Sequence, residues 1–198
     1  MMKICFFLIC LIALAAFAPV RTAAQSRDYL TESEIELIRD AQQIDQRVDV
    51  LIHAADRRFG LLKVGVGAST KPETKAWGLL PEGTRMQLLL DIKRILQKAI
   101  DDIDNLSERP DSMVVNIDDE KNKRKLPSFS ELFPKAVRSL AAASDRYKPA
   151  LKTLLDQTKE EVEKGPILDS LDMCSEISAA TTKLPAPKPP AEAKKAKH

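Results

Sequence analysis

Leu37, Ala41, Ile44, Val48, Leu51 and Ala55 recur at alternating spacings of four and three. That interval keeps one stripe of an α-helix facing the same way turn after turn, the seam of a helix packed lengthwise on another. Leu89, Ile92, Leu96, Ala99, Ile103 and Leu106 repeat the interval further along the chain. Burying each Leu or Ile is worth roughly 1.5–3 kcal/mol, so neither seam can stay in water. Two seams of similar length predict a matched antiparallel pair of helices.

Both helices carry a start signal. In Leu30-Thr31-Glu32-Ser33-Glu34-Ile35, Thr31 can cap, Glu34 can bond back to it, and Leu30 can pack on Ile35; Thr84 and Gln87 repeat the capping-box spacing. The first helix is expected over residues 31–59 and the second over 84–106. Between them, residues 60–83 hold five glycines with Pro72 and Pro81, and read as a loop with Trp77 near its end, folded back over the end of the bundle. Residues 107–127 are charged and bounded by prolines, a second loop. A third helix begins between Ser128 and Pro134 and continues through Val137, Leu140, Tyr147, Leu151, Leu154, Leu155 and Val162. Pro149 is expected to kink it and Gly165-Pro166 to stop it. A shorter fourth helix over 166–179 carries Ile167, Leu168, Leu171, Cys174 and Ile177 on one side. The expected fold is therefore all-α, an elongated antiparallel helical hairpin or bundle of about four helices.

The two ends of the chain differ from this body. Residues 1–24 have the parts of a secretory signal: Lys3, an apolar run from Ile4 to Ala18, and the small-residue positions Thr22 and Ala24. The run is shorter than the roughly 18 residues of a membrane-spanning helix, and Cys10 follows Ile9 in mid-run, which excludes a lipoprotein signal. Cleavage after Ala24 predicts an exported protein, periplasmic or extracellular, that begins at Gln25 and retains no transmembrane segment. The remaining 174 residues fit one domain over 25–182, followed by a tail at 183–198 built almost wholly from Pro, Ala and Lys. The tail has almost nothing to bury and is expected to be disordered.

Charge and cysteine content narrow the function classes. Loss of Lys3 and Arg21 with the signal leaves 29 basic against 29 acidic side chains, with 24 and 28 of them in residues 25–182 and five lysines against Glu192 in the tail. A mildly acidic body argues against nucleic acid as a partner. Cys5 and Cys10 leave with the signal, so the exported chain holds Cys174 and no internal disulfide. Cys174 lies among apolar positions and reads as a small buried residue, with an intermolecular or reactive thiol as the alternative.

No residues form a catalytic, cofactor or metal motif. His53 falls off the Leu51 and Ala55 seam and reads as exposed, and no Glu-x-x-His accompanies it. Gly65-Val66-Gly67-Ala68-Ser69-Thr70-Lys71 lacks the glycine spacing of a phosphate loop and runs into Pro72. Asp101, Asp102 and Asp104 lie inside a predicted helix rather than in a calcium loop, and form a solvated acidic face. Asn105-Leu106-Ser107 matches a glycosylation sequon, relevant only in a source that glycosylates exported proteins. Arg57-Arg58 is a basic pair. The sharper basic features are Lys121, Lys123, Arg124 and Lys125 in the second loop and Lys188, Lys194, Lys195 and Lys197 in the tail, the candidate contacts to an anionic surface.

The stretches Leu37-Ile38-Arg39-Asp40-Ala41-Gln42-Gln43-Ile44-Asp45-Gln46-Arg47-Val48 and Trp77-Gly78-Leu79-Leu80-Pro81-Glu82-Gly83-Thr84-Arg85 resemble uncharacterised exported helical proteins of environmental bacteria. The resemblance covers about half the chain and implies export and helicity, with no activity and no cofactor to carry onto residues. Composition, motifs and resemblance together predict a non-enzymatic cell-envelope protein that works as a helical interaction or scaffold module. The alternative is an envelope-surface binder that attaches to anionic polymer or lipid headgroups through the basic loop and tail.

Overall fold

The structure, a computed structural model, describes residues 27–67, 75–109 and 128–185. Their regular structure is entirely helical: α1 Glu32–Asp40, α2 Ile44–Leu61, α3 Arg85–Glu108, α4 Phe129–Gln157 and α5 Glu161–Ala180, with 3-10 turns at Lys75–Trp77 and Thr181–Lys183. The expected signal at 1–24, most of the second loop and tail residues 186–198 lie outside the described residues. So do Lys121, Lys123, Arg124, Lys125, Lys188, Lys194, Lys195 and Lys197. No helix among the described residues is long and apolar enough to cross a membrane.

Both expected capping boxes are formed. The Glu34 amide donates to Thr31 Oγ1 at 3.2 Å while Glu34 Oε2 accepts from the Thr31 amide at 2.9 Å. At α3 the Gln87 amide donates to Thr84 Oγ1 at 3.3 Å and Gln87 Oε1 accepts from the Thr84 amide at 2.8 Å. These bonds occupy backbone groups that a helix start leaves without intrahelical partners.

The single helix expected over 31–59 is two helices, because residues 41–43 leave the helix between α1 and α2. The cause is long-range. Glu34 Oε1 accepts from Arg58 Nη1 at 2.6 Å, whereas in one straight helix these residues would stand about 36 Å apart along the axis. The chain must fold back for this bond to exist. The expected stop at Gly165-Pro166 is also displaced: the break falls at residues 158–160, and Gly165-Pro166 lies inside α5. The Thr158 hydroxyl donates to Glu163 across this corner, which turns the chain before the proline is reached. Val162, expected on the third helix, is 68% exposed at the start of α5. Pro149 is accommodated inside α4, which runs on unbroken to Gln157.

α2 packs against α3 and α4, and α5 packs against the same two helices. Polar contacts fix the register. Asp45 meets Lys135 at 2.5 Å and Asp56 meets Arg146 at 3.4 Å, so α2 and α4 run in the same direction. Arg85 meets Glu163 at 2.9 Å and Lys93 meets Asp169 at 2.6 Å, so α3 and α5 do too. One core lies between them, and it takes in the seam residues Ile44, Val48, Leu51 and Ala55 of α2, Leu89, Ile92, Leu96, Ala99 and Ile103 of α3, and Leu140, Tyr147, Leu151 and Leu154 of α4. The Tyr147 ring stacks on Phe59 at 4.7 Å, and its hydroxyl donates to Asp56 Oδ1 at 2.7 Å and to the Ile52 carbonyl at 3.0 Å. Packing on the body continues past residue 182: Leu184 rests on the core and Arg138 donates to the Pro185 carbonyl.

His53 corrects the reading of an exposed histidine. It is only 6% exposed and its ring lies 4.1 Å from that of Trp77. Helical periodicity identifies the face of α2 turned toward other helices; the Lys75–Trp77 turn covers a second face that periodicity does not mark.

Candidate functional site

The densest polar arrangement among the described residues is internal. Glu34, the one buried residue of α1, accepts from Arg57 Nη1 at 2.7 Å and from Arg58 Nη1 and Nη2 at 2.6 and 2.7 Å. Arg58, fully buried, also donates to the carbonyls of Ala54 at 2.8 Å and Tyr29 at 2.7 Å. Its Nε stands 3.7 Å from Asp91 Oδ2 of α3, and Arg27 forks onto both Asp91 oxygens at 3.1 and 2.6 Å. Three guanidinium groups thus enclose two carboxylates, and through them α1, α2, α3 and the residues before α1 are joined at one end of the body. Arg57-Arg58, read from sequence as a basic pair, is therefore interior and already paired with Glu34.

Burial and pairing act in opposition on the two acids. Burial alone would raise the Glu34 carboxyl, but the hydrogen bonds and charge of Arg58, with the Thr31 amide and Arg57, outweigh it and hold the group below its ordinary 4.5. At Asp91 burial wins over Arg27, Arg58 and Arg94, and the carboxyl is raised from 3.8.

The same arginines fix the loop before α3. Arg57 Nη2 donates to the Leu79 carbonyl at 2.7 Å, and the Arg57 guanidinium lies 5.7 Å from the centre of the Trp77 ring. Gly78 turns the chain with φ +62°, and a Cβ there would collide with the Ser33 hydroxyl of α1. Only glycine meets both requirements without strain. With its backbone so held, the loop exposes Leu79 at 87% and Leu80 at 51%. An open cleft of about 640 Å³ lies beside the cluster, lined among others by Arg27, Arg58, Asp28, Glu82, Thr31 and Thr84. Two arginines against two acids leave it without a strong charge preference.

The other candidates among the described residues lie apart from this cluster. Asp101 and Asp102 sit on α3, where they accept from Gln97 at 2.8 Å and Lys98 at 2.5 Å. Asn105 is exposed within the same helix. Among the described residues no group of three or more His, Cys, Asp or Glu is placed to hold a metal. Cys174 is fully buried and forms no disulfide. Burial pushes its thiol up to about 11, against the smaller opposing effects of Ser144 and Lys148. Such a thiol is neither accessible nor nucleophilic at neutral pH, which removes the alternative of an intermolecular disulfide in the folded chain. A chain of residues 25–198, in which Cys174 is the one cysteine, is expected to give no mixed disulfide with an aromatic disulfide reagent at pH 8 when native, and about one per chain in denaturant; stoichiometric reaction of the native form would contradict the buried position.

Comparison of the chain with protein-family models, curated proteins and solved structures finds no match.

Sequence spacing alone did not mark Glu34, Arg58 and Asp91 as a site, yet a signal was present. Continued by the same spacing, the first seam reads Leu30, Glu34, Leu37 at one end and Ala55, Arg58, Leu62 at the other. Charged residues at seam positions must be paired if they are buried, and these two pair with each other.

Proposed function

We propose that the chain is an exported, non-enzymatic component of the cell envelope that works as a helical interaction or scaffold module, with α2 and α3 as an antiparallel hairpin at its centre. The observation that carries this reading is the Leu79-Leu80 step, two exposed apolar side chains on a loop whose carbonyl at Leu79 is held at 2.7 Å by a buried arginine. An apolar pair presented on fixed backbone loses little conformational freedom when it is covered, which favours its use as a contact point.

The test is capture from the native envelope. Full-length chain is expected to retain a discrete partner at high salt, where purely electrostatic attachment is screened, and Leu79→Asp is expected to lose that partner while keeping its helical content. Retention by both forms, or by neither, would overturn the reading. Export is tested by intact mass of the protein recovered outside the cytoplasm, which should begin at Gln25; a full-length species as the main form would contradict it.

A further inference from the structure

Around the Leu79-Leu80 step the two signs of charge differ in what they are free to meet. The cleft beside it is balanced in number, but its arginines are committed: Arg58 forks onto Glu34 and Arg27 onto Asp91, at 2.6 to 3.1 Å. Arg57 is held between Glu34 and the Leu79 carbonyl. Asp28, Glu32 and Glu82 are exposed, and among the described residues none of the three is in an ion pair. All three flank the apolar step. Glu82 follows Leu80 by two residues and lines the cleft with Asp28 and Thr31. Glu32 adjoins Ser33, whose hydroxyl occupies the place that a Cβ at Gly78 would need. Against them stands Lys75, an exposed cation of the same loop, while Arg39 and Arg85 are paired with Glu36 and Glu163. The dipole of α1 favours an acid at Glu32 in its first turn, but that effect does not reach Asp28 or Glu82, which precede the capping threonines.

We propose that the Leu79-Leu80 step docks a cationic amphipathic segment of a partner protein, its apolar side chains over the two leucines and its lysine or arginine side chains against Asp28, Glu32 and Glu82. The inference rests on the reading of the step as a contact point and adds the chemistry of what it meets. An apolar centre with a charged rim separates two roles. The leucines, 87% and 51% exposed, supply the area that leaves water. The carboxylates select the partner, because opposite charge steers association and like charge penalises it. An acidic segment or an anionic lipid surface would bring negative charge against all three carboxylates at once, so neither fits this surface.

The experiment measures binding of two labelled synthetic peptides to the full-length chain by fluorescence anisotropy. The peptides share one amphipathic leucine pattern and differ only in carrying lysine or glutamate on the polar face. The lysine peptide is expected to bind about tenfold more tightly, the preference that a few exposed ion pairs supply, and the difference is expected to narrow at high salt. Leu79→Ser with Leu80→Ser is expected to weaken the lysine peptide, and Glu32→Lys with Glu82→Lys to reverse the preference; all four positions are exposed. Asp104→Lys with Glu108→Lys, also exposed, makes the same change in net charge roughly 30 Å along α3 from its start and is expected to leave the preference unchanged. Equal binding of both peptides, binding of neither, binding that survives loss of both leucines, or an equal effect of the remote reversal overturns the proposal. So does self-association, or binding to phosphatidylcholine vesicles, that the leucine substitutions abolish, since the occupant is then a second copy or a lipid surface. The result is separable from envelope capture. A captured partner that Leu79→Asp loses but that meets the loop through an acidic or neutral segment leaves the contact point standing and overturns the charge assignment; lysine selectivity without a captured partner does the reverse.

Discussion

Arg58→Met is expected to lower the unfolding free energy by about 3–5 kcal/mol at neutral pH, the range for removing one member of a buried ion pair. Arg58 is fully buried and donates two hydrogen bonds to Glu34 and one each to two backbone carbonyls. Met fills much of the volume but leaves the Glu34 carboxylate in low dielectric with Arg57 and the Thr31 amide as its remaining partners. The exposed Lys93–Asp169 pair provides the contrast: Lys93→Ala is expected to cost less than about 1 kcal/mol.

The pH dependence of the Arg58→Met loss follows from Glu34. In the wild type its carboxyl titrates below 4.5, so its contribution is present above that value and fades as pH falls through the lowered folded value. Removing Arg58 takes away the largest of the influences that lower it, and the carboxyl then protonates earlier. Once neutral, it no longer carries a buried charge that has lost its principal partner. Urea unfolding at pH 7 and at pH 4 should therefore show the gap between wild type and variant shrinking in acid. A gap that is constant, or that widens in acid, would mean that lost packing rather than stranded charge sets the cost.

The helical class, both threonine-capped starts and the buried faces of α2, α3 and α4 were legible because each depends on local spacing. Val48, Leu51, Ile92 and Leu96 are buried where the seams place them. What local spacing does not encode is which distant charges meet. Glu34 and Arg58 were visible as residues at seam positions, but their pairing requires a break at 41–43 that no breaker residue announces. His53 failed for a related reason, since a loop rather than a helix covers it. The Gly165-Pro166 stop failed because a side-chain hydrogen bond, Thr158 with Glu163, turned the chain earlier.

The seams also set the second large effect. Leu51→Ala and Leu96→Ala are each expected to cost about 2–5 kcal/mol, a transfer contribution from the lost methyl groups plus a cavity that the surroundings fill incompletely. Leu51 is 0% and Leu96 1% exposed, and both belong to the single core that all five helices touch. α2 is bound on two sides, by α3 and by α4, so collapse into the space left at position 51 would have to move two helices whose register is fixed elsewhere by Asp45–Lys135 and Asp56–Arg146. That constraint places Leu51→Ala toward the upper part of the range. Leu51→Ala should also leave the Arg58 cluster intact, so its loss should be the same at pH 7 and pH 4, unlike that of Arg58→Met. Chemical denaturation of both leucine variants beside Lys93→Ala separates core from surface: equal losses at all three positions would mean that the buried faces of α2 and α3 are not those the seams define.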